Sequence, residues 1–156
     1  MKRTVIDDLI SNLKRIKPET ILQRSVTSEA LEAAEDINRY QLEQGELQKG
    51  TIMNNYAKKT EEIFNPIRET KISRFEEVKF KDSGQFYKSI KAKVNKNVML
   101  EMSAKHRNAK HVFEYIEDKG IRDSPLGLQD QWLENWIETF VQPYFVKGIQ
   151  DRLLTQ

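Results

Sequence analysis

Residues 90–103 read IKAKVNKNVMLEMS, and this stretch decides the fold class. Apolar and polar side chains alternate on both sides of a short turn, Asn95-Lys96-Asn97. Because side chains of a strand point to opposite faces in turn, a period of two predicts two strands with one half-buried face, joined as a β-hairpin. The apolar positions of the two strands are Ile90, Ala92, Val94, Val98, Leu100 and Met102.

Upstream of the hairpin the apolar spacing is helical. From Thr4 to Ile16 apolar residues fall three or four apart, which predicts an amphipathic helix that Pro18 interrupts. A second helix is expected to start near Glu19 and to end near Gly45. Its apolar stripe runs through Leu22, Val26, Leu31, Ala34, Ile37 and Tyr40.

Downstream of the hairpin two further segments have helical features. Residues 109–119 predict either a short helix ended by Gly120 or an extended edge. Gly127 opens the strongest helical pattern of the chain. Pro143 lacks a backbone donor, so that helix is expected to kink or restart near Gln142.

These elements predict an α+β fold with N-terminal helices, a central antiparallel β-hairpin or sheet, and a long C-terminal helix packed on the sheet. A length of 156 residues fits one domain, 1–156. Its expected parts are a helical region at 1–44, a long loop or arm at 45–72, a β region at 73–104 and a mostly helical region at 105–156. The loop is expected to be a functional arm or a set of short elements folded over the core.

Charge is unevenly distributed along the chain. Residues 1–70 hold 11 basic and 12 acidic side chains, residues 71–110 hold 11 and 4, and residues 111–156 hold 4 and 8. The net charges are therefore −1, +7 and −4, and the last two regions are expected to attract each other within or between subunits. Without cysteine the fold depends on packing alone, and a cytoplasmic location without membrane contact is expected because no long apolar run or signal peptide is present.

No residue pattern predicts catalysis. His106 and His111 are five apart, unlike zinc ligands spaced three or four apart on a helix, and Ser83 and Ser89 lack the context of a serine nucleophile. Adjacent acids such as Glu76-Glu77 are most simply solvated charge, and no glycine-rich phosphate loop is present. We therefore expect no enzyme activity, no cofactor and no metal.

Two groups of residues are candidates for binding. The lysines Lys88, Lys91, Lys93 and Lys96 of the hairpin region stand beside Phe86 and Tyr87, a combination that fits either a nucleic-acid surface or a solvated sheet face. Trp132 and Trp136, four apart, belong more often to a core than to an interface, but exposed they would anchor a partner together with Tyr144.

The order of elements resembles the tail-completion or head-to-tail connector proteins of tailed bacteriophages and prophages. In that family a Thr-Gly-x-Leu-x-x-Ser-Ile-like signature enters a β-hairpin. The matching residues here are Ser83-Gly84-Gln85-Phe86-Tyr87-Lys88-Ser89-Ile90, with Ser83 replacing threonine and Phe86 replacing leucine. Residues 110–115 are similar to the aromatic-valine-glutamate stretch that follows the hairpin, although the usual glycine is displaced to Gly120. The resemblance covers about two thirds of the chain.

The resemblance implies a structural subunit of the virion, assembled in the cytoplasm of a host bacterium. Such subunits form a homo-oligomeric ring that meets portal or adaptor proteins and tail proteins, and DNA in the lumen would make only non-specific contact. Asp82-Ser83-Gly84 would supply local backbone hydrogen bonds and a flexible turn, and Phe86 and Ile90 would point into the core, with Ser89 a structural residue of the signature. The alternative is a basic nucleic-acid-binding module built on the hairpin lysines.

Overall fold

The computed structural model shows the predicted succession of helices, hairpin and helices. It describes residues 5–54, 62, 66, 71, 78, 80, 84–107 and 109–154. Within them the α+β fold class is confirmed, with a two-stranded antiparallel sheet and a long C-terminal helix.

Three helices precede the hairpin: α1 at Val5–Arg15, α2 at Pro18–Ser25 and α3 at Ser28–Glu43. The prediction of one helix from Glu19 to near Gly45 is wrong, because the backbone is extended at Val26 and Thr27. The Thr27 hydroxyl accepts a hydrogen bond from the amide of Ala30 at 3.1 Å. This N-cap satisfies a donor that a new helix start leaves open, and it favours a break here.

The hairpin follows a short helix, α4, at Gln85–Ser89, and consists of β1 at Ile90–Val94 and β2 at Leu100–Ala104. Ile90 lies opposite Ala104 in the antiparallel register. The predicted hairpin is confirmed, but the prediction that Val98 begins the second strand is wrong. Val98 belongs to the turn and has a left-handed backbone with a φ of 61°. The Asn95 side chain closes this turn by accepting hydrogen bonds from the amides of Asn97 and Met99.

The C-terminal half begins with α5 at Ala109–Asp118, so the helical alternative for this segment is confirmed. A continuous helical stretch follows: α6 at Asp130–Trp136, a π-helix at Ile137–Val141 and α7 at Gln142–Leu154. It begins at Asp130 rather than at Gly127. The expected irregularity near Gln142 takes the form of the π-helix, since its wider turn lies where Pro143 cannot donate to the carbonyl four residues earlier.

Two clusters of buried side chains form the core, and α3 contributes to both. The first joins the C-terminal part of α3 to α4, the start of β1 and α5; its buried members are Leu42, Leu47, Met53, Val78, Phe86, Tyr87, Ile90, Ala109, Val112 and Ile116. The second sets the C-terminal helix against the inner face of the hairpin; it contains Ala30, Ala34, Leu128, Trp136 and Val141, with Ala92, Leu100 and Met102 packed beside them.

The first residues of the predicted arm are packed on the core. Leu47 and Met53 are buried, and Glu46 pairs with Ile52 in an isolated β-bridge. The Asp123 carboxylate holds the connecting turn by accepting hydrogen bonds from the backbone amides of the segment, at 2.9 Å from Lys49. Residues 45–54 are thus a short element folded over the core. The remainder of the 45–72 prediction lies outside the described residues, apart from 62, 66 and 71.

Candidate interaction surfaces

The hairpin lysines are exposed, but two of them are neutralised by ion pairs. Lys91 Nζ lies 3.1 Å from a Glu35 carboxylate oxygen, and Lys93 Nζ lies 2.9 Å from Glu101 on the neighbouring strand. Lys88, on α4, and Lys96, in the turn, are also exposed. Paired lysines attract phosphates less than free ones, so this face has a weaker positive field than its lysine count predicts.

Glu35 is the acidic centre of the contact between α3 and the hairpin. Its side chain is 7% exposed, and one of its oxygens accepts a hydrogen bond from the amide of Ala92 at 3.0 Å. Burial by itself raises the pKa of Glu35, but the Ala92 amide and the side chains of Lys91 and Arg39 outweigh it and lower the pKa below its ordinary value. Glu35 is therefore ionised at neutral pH and holds β1 against α3.

Arg39 completes this contact from one helical turn further along α3. It lies 3.0 Å from Glu35 and donates hydrogen bonds to the backbone carbonyls of Tyr87 and Ile90, at 3.0 and 3.2 Å. A guanidinium group suits this role because its donors point in several fixed directions. Glu35 and Arg39 together hold the junction of α4 and β1 against α3, and so set the position of the hairpin relative to that helix.

The residues of the family-like signature lie at this junction. Gly84 has a φ of 73° immediately before α4, a left-handed conformation that favours glycine. Phe86 and Ile90 are buried in the first core cluster, as predicted, and the Ser89 hydroxyl donates to the carbonyl of Phe86 at 2.8 Å. Ser83 lies outside the described residues. The signature positions thus serve the turn and the core at the base of the hairpin.

The aromatic candidates occupy three different environments. Trp136 is buried, and its indole N–H donates to the carbonyl of Ala30 at 2.6 Å. Trp132 is half-buried and packs edge-on against Tyr40, with ring centroids 5.8 Å apart. Tyr144 is exposed on α7. The two tryptophans therefore face the core, and Tyr144 alone of the three is exposed to solvent.

An apolar groove, which sequence reasoning did not anticipate, opens between the hairpin turn, α2 and the C-terminal helix. Its volume is about 390 Å³. The residues that line it are Leu22, Val26, Gln48, Val94, Val98, Met99, Leu100, Met102, Gly127, Leu128, Leu133, Trp136, Ile137 and Val141. Met99 is 54% exposed and Ile137 41% exposed at its edges. Val98 presents its side chain here from a left-handed backbone, which is strained for a β-branched residue, and such strain clusters at functional positions.

A second apolar surface belongs to α1. Leu9, Ile10 and Leu13 are exposed, Leu13 by 55%. The helix touches the rest of the fold at the C-terminal end of α7, where the Asn12 side chain donates to the carbonyl of Leu153 at 3.4 Å. An amphipathic helix gains most of its stability by burying its apolar face, so three exposed aliphatic side chains in one stripe mark a surface suited to a partner.

The histidines of the described residues do not gather with other metal-ligating side chains. The His111 imidazole lies 3.3 Å from the Glu114 carboxylate on the surface of α5, whereas no group of three or more metal-ligating side chains comes together in the described part of the chain. None of the described helices is long and apolar enough to cross a membrane.

Comparison with known proteins adds no relative: no protein-family model, no curated protein and no solved structure matches this chain.

The apolar stripe of α1 can be predicted from the sequence, but the groove cannot. The spacing of apolar residues shows the α1 stripe, although it does not show that the stripe is exposed. The groove joins residues from α2, the hairpin and the C-terminal helix that are as much as 119 positions apart, from Leu22 to Val141. Each looks like a core residue in its own element, and only the fold shows that the space between them stays open.

Proposed function

We propose that this chain is a ring-forming subunit of a tailed bacteriophage or prophage, either a head-to-tail connector or a tail-completion protein. The observation that carries the proposal is the presence of two complementary apolar surfaces on one subunit, the stripe of α1 and the groove. They are built from different elements. A contact between unlike surfaces repeats from copy to copy and closes into a ring when the rotation allows it.

Charge at the groove edge supports α1 of a second copy as its occupant. Lys14 and Arg15 lie in the last turn of α1. Glu134 and Glu138 are exposed on the C-terminal helix, three positions before and one position after Ile137, which lines the groove. An α1 helix seated with its apolar stripe in the groove would bring these opposite charges to the rim, where they favour encounter and register more than affinity.

The phage context is supported by the signature segment. Gly84 lies in a turn and Phe86 and Ile90 lie in the core, which fits the positions that the family resemblance implies. The alternative, a nucleic-acid-binding module built on the hairpin, has less support, since Lys91 and Lys93 are each paired with a carboxylate.

Variants on the two surfaces test the assembly. Leu13→Asp damages the α1 stripe and Ile137→Asp damages the groove edge, and we expect each variant to be monomeric where the unaltered chain assembles, as measured by mass photometry. Mixed together, the two variants should form a heterodimer and nothing larger, because one intact α1 and one intact groove remain in the mixture. Phe113→Asp, at an exposed apolar residue on α5 away from both surfaces, is the matched control and should assemble normally.

Two results would contradict the proposal. An unaltered chain that stays monomeric, alone and with any portal and tail proteins encoded by neighbouring genes, would exclude a ring subunit. Assembly that tolerates both Asp variants would show that the subunits meet elsewhere. Genes for portal, capsid and tail proteins next to this one, if found, would support the phage context independently of the assembly assay.

A further inference from the structure

The crossing of α2 over α7 brings together side chains that are far apart in the sequence. Gly148 lies at the crossing, where a Cβ atom would come within 2.7 Å of Cγ2 of Ile21. The absence of a side chain thus permits close approach of the two helices. A cleft of about 290 Å³ opens beside the crossing, and its lining shares no residue with that of the apolar groove.

Cationic side chains from both helices line this cleft. Arg24 comes from α2, and Lys147 and Arg152 come from α7. Tyr144 adds a phenol at the same surface, and Asp151 is the acidic residue of the lining, so that three basic groups and one acidic group leave a net charge of +2. Within the described part of the chain none of the three basic groups forms an ion pair, in contrast to Lys91 and Lys93 of the hairpin.

Helix ends account for only part of this arrangement. Arg24 and Arg152 lie in the last turns of their helices, where a cation offsets the negative end of the helix dipole. Lys147 lies in the middle of α7, outside the reach of that effect. Three cations gathered at one concave site repel one another, and an anion that contacts all three would relieve the repulsion.

We propose that this cleft binds phosphate groups, either those of a nucleic-acid backbone or a free phosphate. The two guanidinium groups offer paired N–H donors that match the oxygens of a phosphate, and the lysine contributes a mobile point charge. The phenol of Tyr144 can donate a further hydrogen bond. The site reads no base, so its binding is independent of nucleotide sequence and falls as salt rises. It requires no ring and lies on different elements from the hairpin lysines.

Two double variants, each of which loses two positive charges, show which surface binds DNA. Arg24→Gln with Lys147→Gln removes two cations from the cleft, and Lys88→Gln with Lys96→Gln removes two from the hairpin region. Binding of short duplex DNA is measured by fluorescence anisotropy over a series of salt concentrations, and circular dichroism confirms that both variants are folded. The slope of log affinity against log salt should become shallower by about 2 in the cleft variant and stay unchanged in the hairpin variant.

Inorganic pyrophosphate, titrated by calorimetry at low salt, distinguishes a free phosphate from a DNA backbone. Pyrophosphate binding without DNA binding, lost in the cleft variant, supports the site with a free phosphate as its ligand. An equal change of slope in the two double variants would show that total charge decides binding, and would overturn the proposal. So would failure of both DNA and pyrophosphate to bind at low salt.

Discussion

Replacement of Glu35 tests the contact that fixes the hairpin on α3. Glu35→Ala removes a carboxylate that accepts hydrogen bonds from the Ala92 amide, Lys91 and Arg39. Removing one partner of a buried charged contact costs about 3–5 kcal/mol of unfolding free energy, since the remaining groups stay desolvated. Lys91 is largely exposed and can return to water, so we expect a loss of about 3 kcal/mol, near the lower end of that range. Glu35→Gln keeps one acceptor for Ala92 and should lose about 1–2 kcal/mol.

The effect should depend on pH in a defined direction. The pKa of Glu35 in the folded chain lies below its ordinary value of 4.5, so the charged form is the one that the fold stabilises. The stabilisation is complete above 4.5 and is lost as the pH falls through the lower pKa of the folded state. The difference in unfolding free energy between the unaltered chain and Glu35→Gln should therefore be largest at neutral pH and shrink in acid.

Urea unfolding followed by tryptophan fluorescence measures these differences. Asp36→Asn is the matched control, because Asp36 also pairs with Arg39 but its side chain is 75% exposed. An exposed pair contributes about 0–1 kcal/mol, so this control should be nearly neutral. The reasoning is refuted if Glu35→Gln and Asp36→Asn destabilise equally, or if the Glu35→Gln difference persists unchanged in acid.

Two further predictions concern the C-terminal helix. Trp136→Phe should lower the unfolding free energy by about 1–3 kcal/mol, because the buried carbonyl of Ala30 loses its donor. Trp132→Phe should cost less, since its buried indole N–H has no hydrogen-bond partner among the described residues; a larger loss for Trp132 in urea unfolding would contradict this. Gly148→Ala gains about 1 kcal/mol of helix propensity but overpacks the crossing with α2, which costs about 1–3 kcal/mol. The melting temperature should therefore not rise, and a clear increase would show that the helices separate easily.

Local periodicity was enough to predict the hairpin and the existence of the main helices. It failed at two places where a single side chain determines the backbone conformation. The apolar stripe runs on from Val26 to Leu31, so spacing alone gives no sign of the break that Thr27 caps. Val98 continues the alternation of its strand and is β-branched, yet it adopts a left-handed turn conformation. In both places a side-chain oxygen, of Thr27 and of Asn95, accepts hydrogen bonds from backbone amides, and these bonds override the pattern.

The burial of Glu35, the central residue of the contact between α3 and the hairpin, could not be predicted for a different reason. Glu35 follows the helical spacing of a polar residue on α3, where an acid is ordinarily solvated. It is buried because β1, 57 positions later in the chain, brings the Ala92 amide to it. A contact between residues so far apart in the chain cannot be predicted from the local sequence. The core positions of Ile90 and Trp136, by contrast, follow from apolar periodicity, and that of Phe86 is implied by the family resemblance; all three are buried as expected.

Charge counted along the chain also differs from charge in space. The basic region 71–110 contains Lys91 and Lys110, whose partners Glu35 and Glu114 come from the regions on either side of it. The acidic region 111–156 supplies two of the three cations at the α2–α7 cleft. The Lys110–Glu114 pair on α5 is one contact between the two regions within the subunit. We propose an apolar stripe and groove for other copies and a cationic cleft for anions. Groove and cleft both use α2 but share no lining residue, so variants can abolish one kind of binding without the other.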